Sequence, residues 1–102
     1  MKETIEKHLE IETLPLWIDG RRVAAQSSRT GVVTNPATGA VIRYAPMANE
    51  ADVDMAVQAA QAALPAWRGT PPLRRARVLQ KFLTLMQANV KELARIISEE
   101  HG

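Results

Sequence analysis

The apolar residues of this 102-residue chain change period at Asn49. After it they recur every three to four residues to the end of the chain. Before it they come in short β-branched runs split by turn residues. A chain divided in this way is expected to fold as strands followed by helices, an α+β arrangement. Its length leaves room for one domain at most, and a short chain buries a modest share of its surface.

In the first half, Leu16-Trp17-Ile18 and Arg21-Arg22-Val23 flank Asp19-Gly20. That pattern predicts a tight hairpin, since glycine accepts positive φ without a Cβ clash. Residues 24–30 are small and polar and read as a loop. Gly31-Val32-Val33-Thr34 reads as a strand, Asn35-Pro36-Ala37-Thr38-Gly39 as a turn, and Ala40–Tyr44 as a further strand ending at Pro46. About three short strands are expected. Lys2 to Glu12 alternate in charge and read as an N-terminal arm over residues 1–13, closed off by Leu14-Pro15.

In the second half, Asn49 is a suitable N-cap and Asp52 falls at N3, where a carboxylate suits the helix dipole. Val53, Ala56, Val57, Ala60, Ala63, Leu64 and Trp67 follow one helical face; Pro65 should weaken or kink the last turn before Gly69. Thr70 is expected to cap a second helix with proline at its start. Its stripe is Leu73, Ala76, Leu79, Phe82, Leu83, Met86, Val90, Leu93, Ala94 and Ile97. Asn89 interrupts it, so either one long helix or two joined near residues 87–90 is expected. Gly102 resembles a helix stop.

The residues exclude more chemistry than they offer. The chain has no cysteine, so it carries no thiolate ligand, disulfide or cysteine nucleophile. His8 and His101 lie at opposite ends, which disfavours a multi-histidine metal site. Asp52 and Asp54 are two apart on a helix and do not share a face; Glu99 and Glu100 are adjacent, with the same objection. Ser27, Ser28 and Ser98 have no histidine placed by a motif, and no glycine-rich phosphate loop follows a strand. Arg68, Arg74, Arg75, Arg77 and Lys81 form a basic cluster without interleaved aromatics, read as a solvated or subunit-contact face rather than a nucleic-acid site. These cations sit near a helix start and Glu99 and Glu100 near a helix end, against the dipole, so partners outside the chain are expected to compensate. No residue is assigned as catalytic, cofactor-binding or metal-ligating. Thirteen basic and eleven acidic residues give a net charge of +2, and no apolar run reaches the roughly 20 residues that span a bilayer. Neither a nucleic-acid nor a membrane partner is expected, and a cytoplasmic location is.

Several segments, in order, resemble the N-terminal region of the aldehyde dehydrogenase superfamily. They are Trp17-Ile18-Asp19-Gly20, Asn35-Pro36-Ala37-Thr38-Gly39 with Val41-Ile42, Ala51-Asp52-Val53-Asp54 with Ala56-Val57 and Ala59-Ala60, and Pro65-Ala66-Trp67. The run from Thr70-Pro71-Pro72-Leu73 through Arg74-Arg75-Ala76-Arg77-Val78-Leu79 and the ending Glu99-Glu100-His101-Gly102 look most like the coenzyme-A-acylating methylmalonate-semialdehyde dehydrogenase branch. The resemblance covers residues 14–102 and implies a partial segment at the periphery of the cofactor domain. It further implies an enzyme that oxidises aldehydes with NAD through a cysteine thioester, with coenzyme A taking the acyl group. The family's cysteine, glutamate, asparagine and phosphate-binding loop all lie downstream of the matched segment, so no NAD or coenzyme A contact transfers to a residue here.

The expectation is therefore a truncated, catalytically incomplete piece. Its partner is expected to be the remainder of an aldehyde dehydrogenase, or a further copy bound through the apolar helix faces. A small helical protein-interaction module is the rival reading.

Overall fold

The structure, a computed structural model, describes residues 11–102. The expected arm over residues 1–13 lies largely outside them. Four short strands precede three helices: β1 (Leu16–Ile18), β2 (Arg21–Val23), β3 (Thr30–Thr34), β4 (Val41–Pro46), α1 (Glu50–Gly69), α2 (Pro72–Ala88) and α3 (Val90–His101). The order matches the change of period. The strand count is four where about three were expected: the predicted hairpin supplies β1 and β2, and the two later strands supply β3 and β4.

The strands form two separate antiparallel hairpins. In the first, Leu16 pairs with Val23, Trp17 with Arg22 and Ile18 with Arg21. The turn between them puts Asp19 at φ 56° and Gly20 at φ 72°. Two consecutive left-handed residues are what a two-residue turn needs to match strand twist, and Asp-Gly supplies them at low cost. In the second hairpin, β3 and β4 pair from Thr30 opposite Pro46 to Thr34 opposite Val41, with an irregularity between Val33 and Thr34. Its turn closes on Asn35. The Asn35 carbonyl accepts from Gly39 N (2.7 Å) and Thr38 N (3.2 Å), and its side-chain oxygen accepts from Ala37 N at 2.9 Å. Residues 12–14 run alongside β4: Leu14 N donates to the Tyr44 carbonyl at 2.8 Å and Tyr44 N to the Glu12 carbonyl at 2.9 Å. That parallel bridge joins Thr13 to Tyr44. The sequence had no signal for it, since Leu14-Pro15 reads only as a break.

Helix α1 starts as expected, at an Asn49 N-cap whose side chain accepts from Asp52 N. It continues four residues past Pro65. A proline there removes one donor, and the alanine-rich segment before it holds the helix together. Thr70 behaves differently from expectation. Its hydroxyl donates back to the Ala66 carbonyl at 2.8 Å and its amide to the Trp67 carbonyl at 3.1 Å, so it closes α1. The N-cap of α2 is Pro71, with no side-chain cap bond, and Pro72 opens the helix. Two helices meet at Asn89, whose amide and side-chain nitrogen both bond the Leu85 carbonyl. Gly102, at φ 98°, donates to the Ser98 carbonyl and stops α3.

The core is very small. Among the described residues Ile18 is the buried hydrophobic residue and Asp52 the buried polar one. Neither α2 nor α3 buries a single residue. Leu73 (65%), Leu79 (63%) and Ile97 (63%) remain mostly exposed. The radius of gyration is 18.0 Å, where a compact chain of this length has about 13 Å. The accessible surface is 8552 Å², against about 5,700 Å² for a compact monomer of 11.2 kDa. The helices leave wide apolar faces exposed.

Candidate functional site

Asp52 is the most buried described side chain, with 1% of its surface exposed. The capping box on α1 holds it: Asn49 Oδ1 accepts from Asp52 N at 2.9 Å, and Asp52 Oδ2 accepts from Asn49 N at 3.1 Å. The same carboxylate reaches across to the loop after β2, accepting from Gln26 N at 2.8 Å and from Ser27 N at 3.3 Å. The Gln26 amide is the main influence holding the carboxyl below its ordinary value of 3.8; burial opposes it, and the Asn49 and Ser27 amides assist. An ionised group with three donors already bound is poorly suited to take or give a proton. Asp52 is a tie between the loop and the helix start. Asp54 points elsewhere and accepts from Gln58 Nε2 at 2.9 Å, so the two aspartates do not form an acid–base pair.

A second cluster joins the second hairpin to the end of α3. Arg43 on β4 pairs with Glu99 at 3.2 Å and Glu100 at 3.3 Å. Arg95 pairs with Glu92 at 2.7 Å and also with Glu99. Arg95 lowers the Glu92 carboxyl, and Glu92 and then Glu99 raise the guanidinium. This corrects the expectation that Glu99 and Glu100 need outside partners: Arg43, 57 residues away in sequence from Glu100, supplies the positive charge. A contact at that separation leaves no local trace in a sequence.

The other candidate groups do not converge. His101 is exposed at the last position of α3. Ser27 Oγ accepts from Arg29 N, a local turn bond. Among the described residues no three metal-ligating side chains come together. Of the basic cluster, Arg68 ends α1, while Arg74, Arg77 and Lys81 follow one face of α2 at spacings of three and four. Arg75 lies elsewhere on α2, on the apolar side. A shallow, open groove of about 360 Å³ lies between the β1–β2 turn and Ala56, Ala59, Ala60 and Ala63 of α1.

The aldehyde dehydrogenase family profile matches residues 23–102. The chain belongs to the aldehyde dehydrogenase family. It is 44% identical over 90 residues to the malonate-semialdehyde dehydrogenase of Pseudomonas aeruginosa, covering 88% of this chain and 18% of that one. It is 42% identical over 92 residues to malonate-semialdehyde dehydrogenase 2 of Geobacillus kaustophilus, covering 90% and 19%. Among solved structures, a Sinorhizobium meliloti protein assigned as a methylmalonate-semialdehyde dehydrogenase and solved with NAD superposes with a TM-score of 0.88 at 47% identity, again covering 90% and 19%. The chain thus spans about a fifth of the length of the aldehyde dehydrogenases it matches, and its two hairpins and three helices are those of a part of that fold.

Among the described residues, the start of α1 does not fit the pyrophosphate of a dinucleotide. The β4–α1 connection, Met47-Ala48-Asn49, has no glycine to admit a pyrophosphate. At the N-terminus of α1 the capping box already engages the Asn49 and Asp52 amides, and the Glu50 and Asp52 carboxylates of the first turn repel a phosphate.

Proposed function

We propose that this chain is the outer shell of the cofactor-binding part of an NAD-dependent aldehyde dehydrogenase of the malonate- or methylmalonate-semialdehyde type. The reading extends to coenzyme A as the acyl acceptor and to a cytoplasmic location. The observation that carries it is the open inner face: α2 and α3 present a continuous apolar stripe and bury none of their residues. Helices of that kind are stable when a further layer covers them. In the complete enzyme the chain's role is then structural, and the nucleophile needed for covalent oxidation of an aldehyde comes from elsewhere, since this chain has no cysteine.

Two assays test this. The purified chain, given NAD, coenzyme A and methylmalonate semialdehyde, should produce no NADH above background; turnover by the chain alone would overturn the reading. A hybrid in which this chain replaces the matching portion of the Pseudomonas aeruginosa relative should assemble and reduce NAD. Failure of the hybrid to assemble would count against the shell role.

A further inference from the structure

The apolar face of α2 is not purely apolar. With 3.6 residues per turn, the residues that share a face with Arg75 are those at +3, +4, +7 and +11. In this chain they are Val78, Leu79, Phe82 and Met86. All four are among the exposed large hydrophobics, so Arg75 stands at one end of the stripe rather than beside it. Of the remaining cations of α2, Arg77 follows the opposite, polar face with Gln80, Lys81 and Thr84, while Arg74 stands at the border of the stripe, four residues before Val78. Arg75 is itself only partly exposed, and its Nε is buried without a hydrogen-bond partner. Helix α2 contains no aspartate or glutamate, and Arg75 has no ion pair among the described residues.

Any surface that covers Val78, Leu79, Phe82 and Met86 also takes Arg75 out of water. A guanidinium cannot be neutralised there by losing its proton, so it needs an anionic acceptor in the covering surface. We propose that the protein layer covering α2 is apolar and carries one carboxylate that pairs with Arg75. This rests on the shell reading above and adds the chemistry of the partner surface to it.

The test uses the full-length hybrid and follows its thermal midpoint at pH 8 and pH 5. Arg75→Met keeps the length of the stem and removes the charge. It strands the partner carboxylate in an apolar contact, which raises that group's folded pKa above its unfolded value. Stability is then lost as pH rises through the raised pKa and regained below it. The midpoint deficit of Arg75→Met should accordingly be large at pH 8 and shrink by about half or more at pH 5. Arg75→Lys should recover part of the midpoint at pH 8, and Arg77→Met, on the opposite polar face, should change little at either pH.

An equal deficit at both pH values, or no deficit, would overturn the pairing. If Arg75→Met assembles only at pH 5, or assembles at neither pH while Arg75→Lys assembles at both, the pairing stands. If both variants fail at both pH values, shape rather than charge is required, and the pairing falls. A hybrid that fails with Arg75 in place sinks the shell reading itself, which separates the two outcomes.

Discussion

Asp52 offers the sharpest test of how the shell is held together. Its carboxylate accepts from Gln26 N at 2.8 Å, Asn49 N at 3.1 Å and Ser27 N at 3.3 Å. Replacing Asp52 with alanine removes all three bonds and leaves those amides unpaired. Bonds to an ionised acceptor are each worth roughly a factor of ten in the local opening equilibrium. The two shorter bonds together predict a loss of about 100-fold in amide protection at the loop after β2 and at the start of α1. Asp52→Asn keeps one acceptor oxygen without the charge, so its loss should be about tenfold. Hydrogen exchange of the hybrid enzyme, read on peptides covering residues 24–29 and 47–52, measures this directly. The turn at Gly39, bonded to the Asn35 carbonyl at 2.7 Å, is the internal control and should not change. Unchanged exchange around Gln26 in Asp52→Ala would refute the claim that this carboxylate ties loop to helix. The pH dependence has a fixed sign. The folded-state pKa lies below the ordinary 3.8, so the tie is fully present above that value and is lost as pH falls through the lowered one.

Two further outcomes follow from particular contacts. Arg43→Ala removes the pairs to Glu99 and Glu100, which are partly solvent-exposed; it should cost about 0.5–1 kcal/mol at low salt and progressively less as salt is added, measured by denaturant titration of the hybrid. Gly20→Ala and Gly31→Ala should differ. Gly20 sits at φ 72° with open space around it, so alanine there costs about 1 kcal/mol of backbone strain. At Gly31 an added Cβ would meet the end of the Met47 side chain at 2.6 Å, and Met47 is half-exposed and can swing away, so the cost should be smaller. Equal costs at both positions would show that backbone conformation does not govern the first hairpin.

Local features of the fold were legible in the sequence because their causes are local. Asp19-Gly20, the Asn35–Gly39 turn and the Asn49–Asp52 capping box each act within five residues. Thr70 misled because its hydroxyl has two nearby choices, the following amides or the preceding carbonyl, and the carbonyl of Ala66 won. The second partner set of Asp52 and the link from Arg43 to α3 join residues 25 to 57 apart, and no pattern encodes them. Arg75 is the opposite case. Its place on the apolar stripe follows from the 3.6-residue period alone, although its neighbours in sequence, Arg74 and Arg77, are also cations. Among the described residues the apolar stripes of α2 and α3 stay open, as side chains that answer to a surface beyond their own helix must.

The open inner face can be measured on the chain by itself. Light scattering coupled to size exclusion, run alongside binding of a hydrophobic dye, reports both how many copies associate and how much apolar surface stays wet. Self-association or strong dye binding, with broad thermal unfolding, is the expected result. A dye-free monomer with the hydrodynamic size of a compact 11.2 kDa protein and a sharp cooperative transition would contradict it.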